Sequence, residues 1–242
     1  SWSDCASEVT ESRVKNATAH LIDYGFAAKG YVFVNVDEGW LKGRDNHTGL
    51  IYHDDVKFPS GMKALGDWIH SQSTDEIQMK YGLYTSRGTV QCNTAQYEAP
   101  GSQGYEEADA KYMLDAGMDY LKEDSCGGGP NNPTDGFADY STMRDILNAS
   151  DTPILFSLCG WYDWYAPEGY SLGNSWRISG DGTNWGALTS GININVPLYK
   201  YARPGGWNDP DLLTASGEGS NRGDDACFDP ADIPQSSEWY EL

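Results

Sequence analysis

The segment Tyr120-Leu-Lys-Glu-Asp-Ser-Cys126 carries the clearest chemical potential in the chain. It reads as a strand, in which alternate side chains share a face. Tyr120, Lys122 and Asp124 then point one way, and Leu121 and Glu123 the other. With the apolar Leu121 turned toward a layer of helices, Lys122 and Asp124 face an interior. An ammonium beside a carboxylate favours its charged form, and an ionised carboxylate is a competent nucleophile. The same pair also reads as a plain salt bridge at a strand end. A second carboxylate, Asp181, follows Arg177 in Asn174-Ser-Trp-Arg-Ile-Ser-Gly-Asp181. As a general acid it would have to hold its proton when substrate arrives. It also reads as the N-cap of a helix that starts in Gly182-Thr-Asn-Trp185.

Two further groups stand out. Asn35-Val-Asp-Glu-Gly-Trp40 places Asp37, Glu38 and a tryptophan at a strand end, where they could hold hydroxyl groups or form a solvated loop. Gly205-Gly-Trp-Asn-Asp-Pro-Asp211 has the Gly and Pro content of a turn. The Gly127-Gly-Gly129 run lacks the following Lys-Ser/Thr of a phosphate loop and reads as loop. The five cysteines, Cys5, Cys92, Cys126, Cys159 and Cys227, form no C-x-x-C pair, and the four histidines are scattered. A zinc site is not expected. An odd cysteine count leaves at least one thiol free or paired outside the chain.

These residues need a scaffold, and 242 residues suffice for one large domain with a full core. Strand-like runs at 30–36, 80–84, 118–123 and 153–158 alternate with helix-like runs at 14–22, 62–71, 106–116 and 137–149. Shorter strand candidates lie at 175–177 and just before Gly206-Trp207, and the tail from Gly217 reads as loop. The short run 30–36, mostly β-branched and aromatic, is expected to be buried on both faces. Alternation argues for a parallel sheet. A closed (β/α)8 barrel and an open doubly wound sheet both fit it. No G-x-G-x-x-G follows the first strand, which counts against a dinucleotide fold. Polar groups directly after the strands (Asp37-Glu38, Ser86-Arg87, Asp124, Cys159-Gly160, Asp181) match the catalytic rim of a barrel, so the barrel is the expected fold, as a single catalytic domain over 1–242.

Composition limits the partners. A formal charge of −20 argues against nucleic acid and against anionic membrane surfaces. No apolar run approaches the roughly 18–20 residues that span a bilayer. A neutral, small-molecule carbohydrate is compatible with this charge. Aromatic residues make up 13% of the chain, which serves either core packing or stacking on sugar rings. The sequons at Asn16, Asn46 and Asn148 favour a secretory route, to the cell exterior or a lysosomal lumen.

Taken in order, seven segments resemble glycoside hydrolase family 27, the α-galactosidase and α-N-acetylgalactosaminidase family. They are Val36-Asp-Glu-Gly-Trp40; Lys57-Phe-Pro-Ser-Gly-Met62 with Asp67-Trp-Ile-His-Ser71; Tyr81-Gly-Leu-Tyr84; Pro100-Gly-Ser102 with Asp109-Ala110; Asp119 to Cys126; Ser175-Trp-Arg177 with Asp181; and Pro204 to Leu212. The resemblance implies a retaining exo-glycosidase that hydrolyses terminal α-D-galactosyl residues by double displacement, without metal or cofactor. It implies Asp124 as nucleophile and Asp181 as acid/base. Asp37, Glu38, Lys122 and Arg177 would bind sugar hydroxyls, Tyr84 and Trp2 would shape the pocket, and Cys92 and Cys126 would pair beside the nucleophile.

The chain departs from that family in three places. Glu38 stands where the family usually has Asp, and its extra methylene crowds the C6 hydroxymethyl of galactose. A β-L-arabinopyranose, lacking that group, becomes the alternative substrate; a methylene is worth roughly 1–3 kcal/mol. Gly160 stands where many α-galactosidases have a Glu that holds the 2-hydroxyl. The chain also begins inside what looks like the first-strand motif and ends before an eighth strand, so a barrel incomplete at its C-terminal end, without the family's C-terminal β domain, is expected. A sugar-binding relative without turnover, or an inactive fragment, are the remaining alternatives.

Overall fold

The computed structural model describes residues 9–92, 99–182 and 184–211. Strands and helices alternate: α1 (Glu11–Asp23), β1 (Phe33–Asn35), β2 (Leu41–Arg44), β3 (Ile51–His53), α2 (Met62–Ser71), β4 (Lys80–Ser86), α3 (Glu106–Asp115), β5 (Tyr120–Asp124), α4 (Pro133–Asn148), β6 (Leu155–Cys159), α5 (Ala166–Leu172), β7 (Ser175–Arg177), α6 (Trp185–Asn195) and β8 (Trp207–Asp209). Six strands form one sheet in the order β1-β4-β5-β6-β7-β8, every pair parallel. This is the half-barrel of a (β/α)8 fold. β2 and β3 form a separate antiparallel hairpin, an excursion that the sequence pattern does not announce.

The helices follow from local chemistry. Met62, Leu65 and Ile69 recur at helical spacing and bury one face of α2. Gly66 on the same face permits close packing, since a Cβ there would sit 2.6 Å from the Ala116 carbonyl. Asn132 caps α4, accepting from the N–H groups of Thr134 and Asp135, and Pro133 occupies the first turn. The core lies between sheet and helices: Tyr81, Leu83, Leu121, Phe156, Leu158 and Trp176 from the strands meet Leu65, Ile69, Met113 and Met143 from the helices.

Asp119 fixes the start of β5. Its carboxylate accepts from Tyr81 N–H at 2.9 Å and Lys80 Nζ at 2.9 Å, and His70 Nε2 lies at 2.7 Å. Burial works against this charge, but those three partners outweigh it and hold the acid below the usual carboxylate range. Its own N–H donates to the Tyr81 carbonyl, continuing the β4–β5 ladder.

Three expectations need correction. The strand near Gly30–Val36 is short, and only alternate residues are buried: Val34 and Val36 face the core while the face carrying Phe33 and Asn35 is exposed, so it is covered on one face and not on both. The last strand begins at Trp207 rather than before it. Asp181 does not cap α6; Asn184 does, through its side chain and Ala187 N–H at 3.0 Å. The tail from Gly217 lies outside the described residues.

Candidate active site

The C-terminal ends of β1, β4, β5, β6 and β7 bring the reactive groups together. Lys122 of β5 is the hub. Its Nζ lies 2.8 Å from Asp37 Oδ2 and 3.7 Å from Asp124 Oδ2. β4 separates β1 from β5, so Asp37 stands two strand spacings away, roughly 10 Å of backbone, and only a long stem such as lysine's spans that gap. Tyr84 fills the intervening strand. Its ring lies 5.1 Å beneath the ammonium, and its hydroxyl reaches Asp124 Oδ2 at 3.3 Å and Cys92 Sγ at 3.2 Å. Cys92 and Cys126 form a disulfide that ties the loop after β4 to the turn after β5.

The electrostatics follow from this packing. Burial lifts the pKa of Asp124 above the ordinary aspartate value, although Lys122 and the Ser125 N–H, 2.7 Å from Oδ1, pull the other way. Burial also opposes the charge on Asp37, but there Lys122 wins and the acid is held low. The lysine itself, which burial alone would discharge, is kept charged by Asp37 and Asp124. Burial raises the Tyr84 phenol well above its usual range, and the charges of Asp124, Glu38 and Asp37 add to that. Glu38 is itself buried. Trp40, which the sequence offers as a ligand, belongs to the core instead: it has no exposure, donates from Nε1 to the Tyr84 carbonyl at 3.1 Å and stacks on Tyr112.

Arg177 closes the other side. It ends β7 and reaches Asp181 at 3.0 Å, Asp211 at 2.7 Å and the Cys159 thiol at 3.3 Å. Asp181 is 59% exposed and lies beyond the guanidinium, so it joins the cluster through Arg177 rather than through Lys122. The free Cys159 is buried, and burial drives its thiol far above the normal range, so it stays protonated. A cavity of about 290 Å³ lies among these side chains, lined by Asp37, Tyr120, Lys122, Cys159, Arg177 and Asp209. A larger hollow of about 740 Å³ opens at the strand starts, near Phe33, Lys80, Asp119 and Trp207. Barrel chemistry belongs at the strands' C-terminal ends, so we place the site in the smaller cavity.

Asp209 and Asp211 are site groups that sequence reasoning missed. Their segment reads as a turn, yet Asp209 pairs in register with Arg177 on β7, and Asp211 holds the guanidinium from a left-handed backbone of φ 91°. The signal was there: acids two apart straddling a proline, directly after a strand. Trp2, Cys5 and Cys227 lie outside the described residues.

A family model described as alpha galactosidase A matches residues 2–226. The chain belongs to the α-galactosidase A family. Among relatives in it, the α-galactosidase of Cyamopsis tetragonoloba is 37% identical over 222 residues, 90% of this chain and 51% of that protein. α-Galactosidase 2 of Arabidopsis thaliana is 36% identical over 92% of this chain and 54% of its own length. The chain thus spans about half the length of the curated relatives it matches. The solved structure of α-galactosidase I from Mortierella vinacea superposes with a TM-score of 0.80 at 32% identity, covering 89% of this chain and 58% of that one. The α-galactosidase of Saccharomyces cerevisiae solved with raffinose gives 0.76 at 28% identity, covering 87% and 50%. A β-L-arabinopyranosidase from Geobacillus stearothermophilus, 20% identical with a TM-score of 0.70 over 87% and 59%, shares the fold.

Proposed function

We propose that this chain is the catalytic barrel unit, over residues 1–242, of a retaining exo-glycosidase that releases terminal α-D-galactosyl residues from oligo- or polysaccharides. One observation carries the reading: Asp124 is buried at a strand end with its charge supported by Lys122, a backbone N–H and Tyr84, and Lys122 also lines a cavity with Asp37, Arg177 and Asp209. The names of the relatives support the α-galactosyl substrate.

In the proposed reaction a sugar docks with its hydroxyls on Asp37, Glu38, Lys122 and Arg177. Asp124 attacks the anomeric carbon as Asp181 protonates the leaving oxygen, and a covalent glycosyl-enzyme forms. Water, deprotonated by Asp181, then displaces Asp124. The exposure of Asp181 suits a group that must meet both a leaving alcohol and an incoming water. Trp2 is assigned to the pocket wall by the family resemblance. Exposed asparagines in all three sequons support passage through the secretory route. Among the described residues no helix is long and apolar enough to cross a membrane.

A second reading, β-L-arabinopyranosidase, rests on Glu38. It is buried beside Tyr84, and its additional methylene takes space that a C6 hydroxymethyl would need. Both readings are tested by parallel assay on nitrophenyl α-D-galactopyranoside and nitrophenyl β-L-arabinopyranoside, with Asp124→Asn as control. Release that vanishes in the control supports the mechanism, and the ratio of rates decides the sugar. No release from either substrate by a folded chain rejects both.

A further inference from the structure

Arg87 follows β4 and turns away from the cavity. Its side chain has 0% exposure and is paired with Asp139 on α4. An ion pair alone would use one side of the guanidinium fork. The other side reaches the turn after β5, where Nε donates to Ser125 Oγ at 3.2 Å. Ser125 Oγ lies 3.0 Å from the Tyr140 hydroxyl, which donates to the Glu123 carbonyl at 3.2 Å. Only one direction of hydrogens satisfies this series. Arg87 has no acceptor, so Ser125 accepts from it and donates to Tyr140, and Tyr140 donates to the carbonyl. The Arg87 N–H also donates to the Asp124 carbonyl at 2.8 Å.

The peptide units on both sides of Asp124 are therefore gripped from behind. The carbonyls of residues 123 and 124 each accept a bond, and the Ser125 side chain is held in one orientation. With the 124–125 peptide held at its carbonyl and Ser125 anchored by its hydroxyl, the Ser125 backbone N–H stays directed at Asp124 Oδ1, 2.7 Å away. We propose that Arg87 is a positioning residue for Asp124, acting through Ser125 to hold the carboxylate aligned and ionised. The proposal rests on the reading of Asp124 as nucleophile. Arg87 touches neither the cavity nor the substrate.

Lysine at this position keeps a cation for Asp139 but lacks the fork whose separate nitrogens reach Asp139 and Ser125 at once. Arg87→Lys and Ser125→Ala should therefore share one defect. Carbonyl-carbon NMR of Asp124, assigned with Asp124→Asn, should show its titration moved up by about one pH unit in both variants, since a hydrogen bond to the charged form is weakened. On nitrophenyl α-D-galactopyranoside, kcat should fall roughly 10- to 100-fold with KM little changed, and the double variant should be no worse than either single. A merely structural Arg87 would lower the melting temperature and leave the titration alone. An Asp124 titration unchanged in both variants, or kcat losses that multiply in the double, overturns the proposal. If the unmodified protein releases no nitrophenol, the glycosidase reading fails while the titration still decides how Asp124 is held. Should Arg87→Lys not fold, the Ser125→Ala titration alone decides: an upward shift supports the proposal, and an unmoved one overturns it.

Discussion

Replacing Lys122 by Met tests the electrostatic core of the site. The ammonium lies 3.7 Å from Asp124 Oδ2. At an effective dielectric of about 20 that pair is worth ~4 kcal/mol, or about three pH units on the carboxylate as a ceiling. Asp37 loses that ammonium too, and the two carboxylates no longer share a cation. A proton then binds the pair at higher pH. Asp124 is the weaker acid, being raised by burial where Asp37 is held low, so Asp124 takes it first. A nucleophile must be ionised, so the acidic limb of kcat/KM against pH should move upward by roughly one to three units in Lys122→Met. Loss of hydroxyl contacts would lower the whole profile without moving its limb. The assay is a pH profile of nitrophenol release for both proteins, with Asp124→Asn as the blank. An acidic limb at the same pH in both proteins would refute the reasoning.

Glu123 faces the helices with no exposure, and among the described residues neither carboxylate oxygen has a hydrogen-bond partner; burial, then the charges of Glu106 and Asp139, raise its pKa well above the ordinary value. Stability from such a group is complete below its unfolded pKa and is lost as pH rises through the folded one, so the melting temperature of Glu123→Gln should gain on that of the parent between about pH 5 and pH 8; a constant difference across that range would contradict this. A Cβ on Gly160 would lie 1.9 Å from Tyr165 Cε2, so Gly160→Ala should lose roughly 1–3 kcal/mol in urea unfolding. An unchanged midpoint would show that the Tyr165 ring yields freely. Opening the Cys92–Cys126 bridge, which joins residues 34 apart, with a Cys92→Ser/Cys126→Ser variant should lower stability by roughly 3–4 kcal/mol, read by calorimetry.

Much of this was legible in the chain because period-two and period-3.6 patterns were strong where packing is two-sided. β5 alternates as its composition demands, with Leu121 among the helices and Lys122 in the cavity. α2 repeats its apolar residues at helical spacing, and its limits at Met62 and Ser71 match the structure. The β2–β3 hairpin was not legible, since Leu41-Lys-Gly-Arg44 and Ile51-Tyr-His53 are too short and too mixed to show a period. The start of α6 near Trp185 could be read, but not its packing face: only Gly191 of it is buried, so no apolar stripe marks it. The reach of Arg177 to Asp211 depends on a left-handed aspartate and a pairing of β7 with β8, which no local pattern encodes. Gly160 could be seen to lack a side chain, but not that the Tyr165 ring fills the space, with its hydroxyl on Asn131.

The clamp at Asp119 has a consequence for how this barrel can be altered. Asp119 locks the entry to β5 against β4, and Asp124 stands five residues further along. The height of the reactive carboxylate in the barrel is thus a counted distance from a fixed end, about 3.3 Å per residue. Adding or deleting one residue between them would turn the strand over, presenting Glu123 to the cavity and burying Asp124 among helices. Substitution can tune this strand, but changes of length cannot. Insertions that enlarge or reshape the site are therefore best made beyond Cys126, in the turn that follows the bridge, where the count from Asp119 is already complete.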